Sequence, residues 1–499
     1  MGNSELLIEP FQDIKDIALP AELVKKLQGV IGQEKLLFSK PDRYAYSRDR
    51  LPYGLYRIRV GALPGTLPSA IVLPSSTNDL VKITQFCLAN KVALIPYGAG
   101  SGVLGGTIPL HGEIIVDLKK MNQIIDINET NCTVTVQAGM NGMQFEEALN
   151  QKGYTAGHYP QSISMSTVGG WAACRGAGQA SSRFGKIEDM VLGLKAILPN
   201  GELLEVRPVA RRSVGPSIKD IFVGSEGVLG FITELTLRIW KKSDHSEGCV
   251  LAFPSIQSGF DALKEIMQSE LRPEVIRLYD EEESQQRTEN MPEFKEKPIL
   301  CVMKFSGLRD LLEVEKKLSL EIAYKYGASA AGLGPYEHWE KTRYQSYSTQ
   351  WQTDNYYMDT IEVTSDWSNV MEMYQTISKE VKVIYPETYF GAHWSHIYSE
   401  GLCQYMTIRL PPMENVQAHQ LHLQLWDKIE SICLGLGGSL AHHHGVGLLR
   451  GRWLKEELNQ GMQILGALKK SLDPSNLFNP GKLGLPLADG AIGLEFNKK

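Results

Sequence analysis

Three consecutive histidines, His442, His443 and His444, are the side chains best suited to chemistry in the C-terminal half of this sequence. A neutral imidazole can give or take a proton near pH 7, so a pair of these rings could act as acid and base on a bound substrate. Side chains alternate between the two faces of a strand, so we expect at most two of the three rings to reach one pocket. The run could instead be an internal polar cluster or a surface loop.

Two arginines and a second pair of histidines offer other kinds of site. Arg277, in VIRLYD, and Arg343, in HWEKTR, are candidates for binding a phosphate or carboxylate in bidentate fashion. For Arg277 the alternative is a salt bridge at the surface. His393 and His396, in AHWSH, raise the alternative of a metal site shared with the histidine run. An HxxH spacing alone is weak evidence, and we predict no metal.

A glycine-rich loop, PYGAGSG at residues 96–102, follows the apolar run KVALI. Three glycines in five positions permit backbone conformations in which successive N–H groups converge on an anion. The loop is not a GxGxxG fingerprint and lacks GK[ST], so neither a Rossmann dinucleotide site nor a P-loop fits. Taken alone, the loop could equally be a plain turn after a strand.

The chain contains two regions with different patterns of predicted secondary structure, and these elements position the candidate residues. Residues 64–242 contain short β-rich runs separated by glycine-rich turns, with helical segments at 78–90 and 141–152. Residues 243–449 repeat a strand followed by an amphipathic helix, which predicts an antiparallel sheet covered by helices. We therefore predict an α+β fold of two main domains. A helical lead-in (1–63) precedes them, and a helical segment (450–499) packs back on the first.

The bulk composition excludes several classes of protein. The chain has 499 residues, which is too long for one core, and its net charge of −6 gives no electrostatic reason to expect nucleic acid as a partner. Seven scattered cysteines without a CxxC pair argue for reduced thiols. We find no signal peptide and no transmembrane segment, and we expect a cytoplasmic protein. The sequence leaves open whether the protein forms a homodimer.

Four segments in order carry a resemblance to a known family. They are PYGAGSG (96–102), PQSISMSTVGGWAACRGAG (160–178), DIFVGSEGVLGFITELTLRI (220–239) and FNPGKL (478–483). Together they resemble the FAD-binding domain of the vanillyl-alcohol oxidase and para-cresol methylhydroxylase superfamily. Within that superfamily, the chain most resembles the alkylglycerone-phosphate synthase family. The motifs that carry this closer resemblance are STVGGW, VGSEGVLG, VIRLYD and AHHHGVGLLR. The resemblance implies a two-subdomain FAD-binding domain over 64–242 and a cap, or substrate, domain over 243–449.

The resemblance also implies which residues surround FAD. The glycine loop would cradle the pyrophosphate, residues 160–167 would line the isoalloxazine ring, and residues 173–176 would continue around the cofactor. Residues 226–232 would meet the adenosine part or the ring edge through backbone groups. The implied cofactor residues are Pro96, Tyr97, Gly98, Ala99, Gly100, Ser101, Gly102, Pro160, Gln161, Ser162, Ile163, Ser164, Met165, Ser166, Thr167, Ala173, Cys174, Arg175, Gly176, Glu226, Gly227, Val228, Leu229, Gly230, Phe231 and Ile232. Superfamily members sometimes attach FAD covalently through a histidine after the glycine loop. Ser101 stands there, so we predict non-covalent FAD.

For the catalytic residues, the resemblance places the histidine run in the active site. Tyr405, in EGLCQYMTI, stands where the synthase family carries a catalytic or substrate-orienting tyrosine; a buried structural tyrosine is the alternative. Arg277 matches the arginine that binds the substrate phosphate in the synthase family. Arg343 is a second candidate for the anion, although its place in the family pattern is less defined.

Two reactions fit these residues. In the first, an FAD-dependent dehydrogenase or oxidase acts on the CH–OH group of a small anionic hydroxy compound. In the second, a synthase exchanges acyl for alkyl on acyl-glycerone phosphate with no net electron transfer. The segment EEESQQRTENMPEFKEK is acidic and polar where the synthase family carries a longer, partly apolar insertion, so we favour the redox reaction. A non-catalytic flavin-binding protein is the third alternative.

Overall fold

The computed structural model describes residues 16–54, 65–289, 291, 299–345 and 355–488. Two parts of the predicted lead-in, residues 1–15 and 55–63, lie outside the described residues, as does the end of the predicted C-terminal segment, 489–499.

Helices and strands are numbered in chain order within this described part. The helices are α1 (Ala21–Ile31), α2 (Lys40–Ala45), α3 (Thr77–Asn90), α4 (Gly142–Gln151), α5 (Val168–Ala173), α6 (Ser181–Phe184), α7 (Ile187–Met190), α8 (Ile218–Phe222), α9 (Ile256–Gln268), α10 (Glu281–Thr288), α11 (Arg309–Lys325), α12 (Gly334–Thr342), α13 (Val370–Ile384), α14 (Asn415–Gly435), α15 (Leu454–Leu458) and α16 (Gly461–Leu472). The strands are β1 (Leu36–Leu37), β2 (Ala70–Val72), β3 (Leu94–Tyr97), β4 (Ile114–Asp117), β5 (Ile124–Asn128), β6 (Thr133–Gln137), β7 (Tyr154–Thr155), β8 (Val191–Ile197), β9 (Leu203–Val206), β10 (Phe231–Arg238), β11 (Trp240–Lys241), β12 (His245–Phe253), β13 (Val275–Tyr279), β14 (Ile299–Gly307), β15 (Ser329–Ala330), β16 (Tyr357–Asp366), β17 (Tyr389–Ile397) and β18 (Gly401–Leu410).

Local sequence signals explain where the longer helices begin. Helix α3 starts after Ser76, whose hydroxyl accepts a hydrogen bond from the Asp79 N–H. Its buried side chains Leu80, Ile83 and Cys87 recur at helical spacing and pack on the first sheet. The predicted helices over 78–90 and 141–152 are thereby confirmed within one residue at each end.

Two sheets occupy the first half of the chain. In the four-stranded sheet, ordered β1-β2-β4-β3, the strands β2, β4 and β3 run parallel. The five-stranded sheet, ordered β5-β6-β10-β8-β9, is antiparallel throughout. Apolar side chains of both sheets and of α3, α4 and α5 share one buried core. The prediction of two helix-decorated sheets in this region is confirmed.

A seven-stranded antiparallel sheet, ordered β15-β12-β14-β13-β17-β18-β16, forms the second half. Helices α9, α11, α13 and α14 cover one face with a continuous apolar core, as the sequence predicts. The strand register determines which residues are neighbours on the opposite face. His393 pairs with Tyr405 across β17 and β18, and Tyr405 pairs with Glu362 across β18 and β16. Polar residues from three neighbouring strands therefore lie side by side on that face.

The C-terminal residues return to the first sheet. The Leu94 N–H donates to the Leu477 carbonyl, and the Asn479 N–H donates to the Leu94 carbonyl, which extends the edge at β3. Buried Lys469 donates to the carbonyls of Val228 and Phe478. No helix among the described residues is long and apolar enough to cross a membrane. The four-part division at 1–63, 64–242, 243–449 and 450–499 stays a prediction.

Candidate functional site

The four motif segments, distant in sequence, meet around the glycine-rich loop. The side-chain amide of Asn479, in FNPGKL, donates to the carbonyls of Gly106 and Glu226 at 2.9 and 2.7 Å. The Glu226 N–H donates to the Ala173 carbonyl at 2.9 Å. At Gly98, an added Cβ would collide with the Thr167 hydroxyl, so a larger residue would require that side chain to move.

A cavity of about 370 Å³ opens where two of these segments face each other. Ala99 of the glycine loop lines one side, and Met165 and Thr167 line the other. Lys119 and Asn141 contribute polar groups to the wall. The cavity therefore lies between the loop predicted to bind a pyrophosphate and the segment predicted to line a flavin ring.

Glu226 joins separate segments of the site through its backbone and its side chain. Its backbone N–H donates to Ala173, and its carbonyl accepts from Asn479. Its buried carboxylate accepts the N–H groups of Val446 and Gly447 at 2.6 and 2.8 Å. Its backbone contact to a cofactor stays a prediction. Burial raises the pKa of Glu226 to about 7. The residue ties the segment around 226 to the chain that follows the histidines.

The histidine run forms a turn, which we call the histidine turn (residues 442–447), and not a strand. The Glu362 carboxylate accepts the N–H groups of His442, His443 and His444 at 2.5, 3.4 and 3.0 Å. Because one carboxylate gathers three successive amides, the three rings converge. Adjacent ring centres are 5.3 and 4.4 Å apart. The expectation that at most two rings reach one pocket assumed the alternation of a strand, which this turn does not have, and the number of rings that reach one pocket stays a prediction.

A buried arginine neutralises this carboxylate. The Arg450 guanidinium, which is fully buried, lies 2.9 Å from Glu362 and 3.0 Å from Glu430. Burial alone would raise the pKa of Glu362, but Arg450, His444 and the backbone N–H groups hold it below its ordinary value. Burial raises the pKa of Glu430 to about 8 despite the same arginine. One guanidinium cannot neutralise two buried carboxylates, so Glu362 carries the charge and Glu430 holds a proton near neutral pH.

A chain of hydrogen bonds fixes the proton positions on the rings. Tyr398 donates its single proton to Ser181 at 3.1 Å and also lies 2.9 Å from Nε2 of His442. Nε2 of His442 must then be the donor to Tyr398, which leaves its Nδ1 to accept from Nδ1 of His443 at 3.1 Å. Ser181 in turn donates to Nδ1 of His396 at 2.7 Å. This arrangement leaves Nε2 of His443 as a free proton acceptor.

The electrostatics of the turn keep the imidazoles neutral. Burial lowers the pKa of His396, His442 and His443 well below the ordinary value, and the neighbouring rings and Lys186 lower it further. The Lys186 ammonium donates to the His442 carbonyl at 2.5 Å.

Tyr405, His393 and Arg277 continue the polar face next to the turn. Tyr405 stacks on His393 with ring centres 4.8 Å apart, and its ring centre is 6.0 Å from that of His443. Nη2 of Arg277 lies 2.8 Å from Nε2 of His393, and its Nε donates to the Tyr279 hydroxyl at 2.9 Å. Since arginine can only donate, His393 accepts and is neutral. Burial and Arg277 lower the pKa of His393 to about 4.

Arg277 has no carboxylate partner among the residues that the structure describes. Glu283, the acid nearest to this part of the cluster, pairs instead with Arg287 at 2.7 Å and accepts from Thr407 at 2.8 Å. His393, which accepts from Arg277, lies 3.5 Å from the Glu283 carboxylate through its other ring nitrogen. The alternative of a surface salt bridge does not describe Arg277 in this structure, and its role as an anion ligand stays a prediction.

Arg343 is held in a different environment. Its guanidinium packs on the rings of Trp339, Tyr344 and Tyr159 at 4.7, 5.0 and 5.4 Å and lies 3.4 Å from Glu340. Within the described ranges, we find no contact between Arg343 and the cluster of Arg277, Tyr405 and the histidine turn. Its role as a second anion ligand stays a prediction.

A metal would have one place to bind in the described part of the chain. His396, His442 and His443 each bring one ring nitrogen within 4.8 Å of the others, and Glu362, Cys403 and His443 form an overlapping set. Hydrogen bonds already engage both ring nitrogens of His442. The absence of a metal stays a prediction, which elemental analysis of the purified protein would test.

Sequence reasoning missed four residues of this site. Glu362 and Tyr398 hold the histidine turn, and Ser181 connects Tyr398 to His396. His158 is buried beside Trp171, and neither of its ring nitrogens has a hydrogen-bond partner in the described residues. Burial lowers its pKa to about 3. The only signal for His158 was its place directly before the segment predicted to line the flavin.

Comparison with known families gives two matches along the chain. Residues 68–207 match the model described as FAD binding domain, and residues 242–483 match the model described as FAD linked oxidases, C-terminal domain. The first match contains the glycine loop and the segment 160–167. The second contains Arg277, Tyr405 and the histidine turn.

Several curated proteins are similar over nearly the whole chain. Alkyldihydroxyacetonephosphate synthase of Dictyostelium discoideum is 29% identical, over 93% of this chain and 80% of that protein. An uncharacterised FAD-linked oxidoreductase of Escherichia coli, YgcU, is 30% identical, over 93% of this chain and 98% of that protein. The glycolate oxidase subunit GlcD of Bacillus subtilis is 25% identical, over 93% and 96% respectively.

Solved structures confirm the fold. A structure of alkyldihydroxyacetonephosphate synthase superposes with a TM-score of 0.79 at 24% identity, covering 94% of this chain and 88% of that one. A structure of p-cresol methylhydroxylase with substrate bound gives a TM-score of 0.75 at 14% identity, covering 93% and 96%. The α+β fold of this superfamily, expected from four short motifs, is confirmed.

Proposed function

Because the chain belongs to the FAD-linked oxidoreductases and uses FAD, we propose that it is a dehydrogenase or oxidase acting on the CH–OH group of a small anionic hydroxy compound. The observation that carries the proposal is the charge of Arg277. It has no carboxylate partner in the described residues and reaches the histidine turn through His393 and Tyr405. A phosphate or carboxylate on the substrate supplies the missing anion.

The residues present fit FAD at the cavity beside the glycine loop. Gly100 has φ of +63°, and a Cβ there would lie 2.2 Å from the Tyr97 hydroxyl, so the loop can take its cradle shape only with glycine. Residues 96–102 would hold the pyrophosphate, and residues 160–167 would line the ring. When bound, FAD supplies the acceptor for the hydride.

The protein's own groups supply the proton chemistry. Arg277 binds the anionic group and so orients the hydroxyl towards the histidine turn. Nε2 of His443 accepts the hydroxyl proton, because its Nδ1 is committed to His442. The Tyr405 hydroxyl donates to Thr360 at 3.0 Å, and it orients the substrate oxygen by turning that proton from Thr360 to the substrate. Lys186 and the Glu362–Arg450 pair hold the turn in place.

A second function is the synthase reaction on acyl-glycerone phosphate. Similarity over most of the chain to alkyldihydroxyacetonephosphate synthases favours it. Against it stands α10, which packs near Arg277 and carries acidic and polar side chains. A long acyl chain needs apolar surface to bind, at about 25 cal/mol per Å² buried, and α10 offers little.

An anaerobic titration separates the two functions. We expect glycolate, D-lactate or another hydroxy acid, sugar acid or phosphorylated alcohol to bleach the flavin absorbance of the purified protein without oxygen. Palmitoyl-glycerone phosphate should leave the oxidised spectrum in place and release no palmitate. Fatty-acid release from this ester, with no bleaching by any hydroxy compound, would contradict the redox proposal and support the synthase.

Removing the guanidinium of Arg277 should weaken substrate binding. We expect Arg277→Ala to raise KM for the anionic substrate roughly 10–100-fold, the value of one charged hydrogen-bonded contact, with a smaller effect on kcat. Arg277→Lys should give an intermediate KM, because it keeps the charge but loses the planar pair of donors. Arg309→Ala, at the exposed start of α11, is the control. An unchanged KM in Arg277→Ala would remove Arg277 from the substrate site.

The link between protein and FAD should be non-covalent. Ser101, near the end of the glycine loop, stands where the superfamily can carry a linking histidine. After precipitation of the protein with acid, the yellow colour should stay in the supernatant. A yellow pellet that survives washing in denaturant would show covalent attachment and overturn this prediction.

A further inference from the structure

The loop between β9 and α8 is positively charged, although the protein as a whole is negatively charged. Every residue from 207 to 218 is exposed, and the loop contains Arg207, Arg211 and Arg212 but no acidic residue. The chain as a whole carries a net charge of −6. A positive loop on a negative protein is an electrostatic feature that a negatively charged partner would recognise.

Apolar side chains stand between these arginines. Val209, Val214 and Ile218 are 44, 81 and 45% exposed, and Val214 is the most exposed large apolar side chain in the described part of the chain. Single exposed apolar residues are ordinary, but three within ten residues on one exposed loop mark a surface that binds something apolar. The loop thus combines positively charged side chains with exposed apolar side chains.

The guanidinium groups are not neutralised within the protein. None of the three arginines lies within 4.0 Å of a carboxylate among the described residues, in contrast to Arg175 and Arg183, which pair with Glu188 and Glu315. An acidic protein partner would need an apolar surface of its own to cover Val214 as well as carboxylates for the arginines. The surface of an anionic bilayer satisfies both, since its phosphates bind guanidinium groups and its acyl region accepts apolar tips.

We propose that residues 207–218 form a docking loop for anionic lipid bilayers, on which the FAD-loaded protein adsorbs from one side. The arginines bind lipid phosphates, and Val209, Val214 and Ile218 enter the interface between headgroups and acyl chains. Adsorption of this kind needs no membrane-spanning helix. The proposal rests on the loop alone and stands whichever reaction the active site performs.

Vesicle sedimentation of the full-length, FAD-loaded protein tests the docking loop. We expect binding to phosphatidylcholine vesicles that contain phosphatidylglycerol, little binding to pure phosphatidylcholine, and weaker binding at high salt. Reversing the three charges (Arg207→Glu, Arg211→Glu and Arg212→Glu) should lower the partition coefficient at least roughly 100-fold, the combined effect of three basic residues at an anionic surface. Val214→Asp should also lower it.

A matched control has the same change in net charge elsewhere. Lys152→Glu, Lys317→Glu and Lys470→Glu reverse three exposed lysines on separate elements and should leave vesicle binding close to wild type. Wild-type protein that fails to sediment with the anionic vesicles would overturn the proposal. So would a control variant that loses as much binding as the loop variant. Val214→Asp protein that binds like wild type would overturn insertion of the loop into the bilayer.

Discussion

Replacing His443 by alanine should slow turnover roughly 10²–10⁴-fold while the protein keeps its fold and its FAD. The reason is the direction of the hydrogen bonds in the histidine turn. Nδ1 of His443 donates to His442, which in turn donates to Tyr398, so Nε2 of His443 is the acceptor left for a substrate proton. The measurement is the rate of flavin reduction by the active hydroxy compound under anaerobic conditions.

Two further variants make this result specific to the proton acceptor. Tyr398→Phe keeps the ring but removes the group that fixes the tautomer of His442, and it should cause a smaller loss of rate. His245→Ala, at an exposed position, should have no effect. Turnover of His443→Ala at the wild-type rate would return the histidine turn to a structural role.

Replacing Arg450 by methionine should lower the free energy of unfolding by about 3–5 kcal/mol, the usual cost of leaving a buried charge without its partner. Methionine fills much of the same volume but leaves the Glu362 charge and the Glu430 carboxyl without a cation. The carbonyls of Gly445 and Glu362 also lose a donor. Denaturant unfolding of the FAD-loaded protein measures the change.

Arg452 provides a matched control two residues away. It pairs with Asp427 at 2.7 Å, but the Asp427 side chain is 46% exposed. Water screens such a pair, so Arg452→Met should cost no more than about 1 kcal/mol. In the double variant Arg450→Met, Glu362→Gln, part of the stability should return because the unpaired charge is gone. Equal losses in the two single arginine variants would contradict the electrostatic account.

Much of the fold could be predicted because it is encoded locally. The alternating and continuous apolar runs at β3, β4, β6, β8 and β10 are visible in the sequence, and so are the caps and spacing of α3 and α9. The glycine loop and the three segments that join it were recognisable because close backbone approach allows few residue types. At Gly98, an added Cβ would collide with Thr167.

The internal order of the site could not be predicted, because long-range pairing decides it. Glu362 lies 80 residues before His442, and the pairing of Thr364 on β16 with Ser439 brings it to the turn. Ser181 lies 217 residues before Tyr398. The alternation rule does not apply to the histidines because it assumes a strand ladder, whereas one side chain accepts the amides of this run. For Arg343, the neighbouring rings of Trp339 and Tyr344 are visible in the local sequence, but the contact with Tyr159 is not.

The histidine turn is anchored at both ends by carboxylates from different parts of the chain, Glu362 before it and Glu226 after it. Glu226 belongs to the segment that meets the glycine loop, so one residue joins the loop predicted to bind FAD to the amides of Val446 and Gly447. If FAD orders the loop and a substrate orders the turn, thermodynamic linkage predicts that each ligand raises the affinity for the other by the same factor. Cofactor retention and substrate recognition would then be one equilibrium.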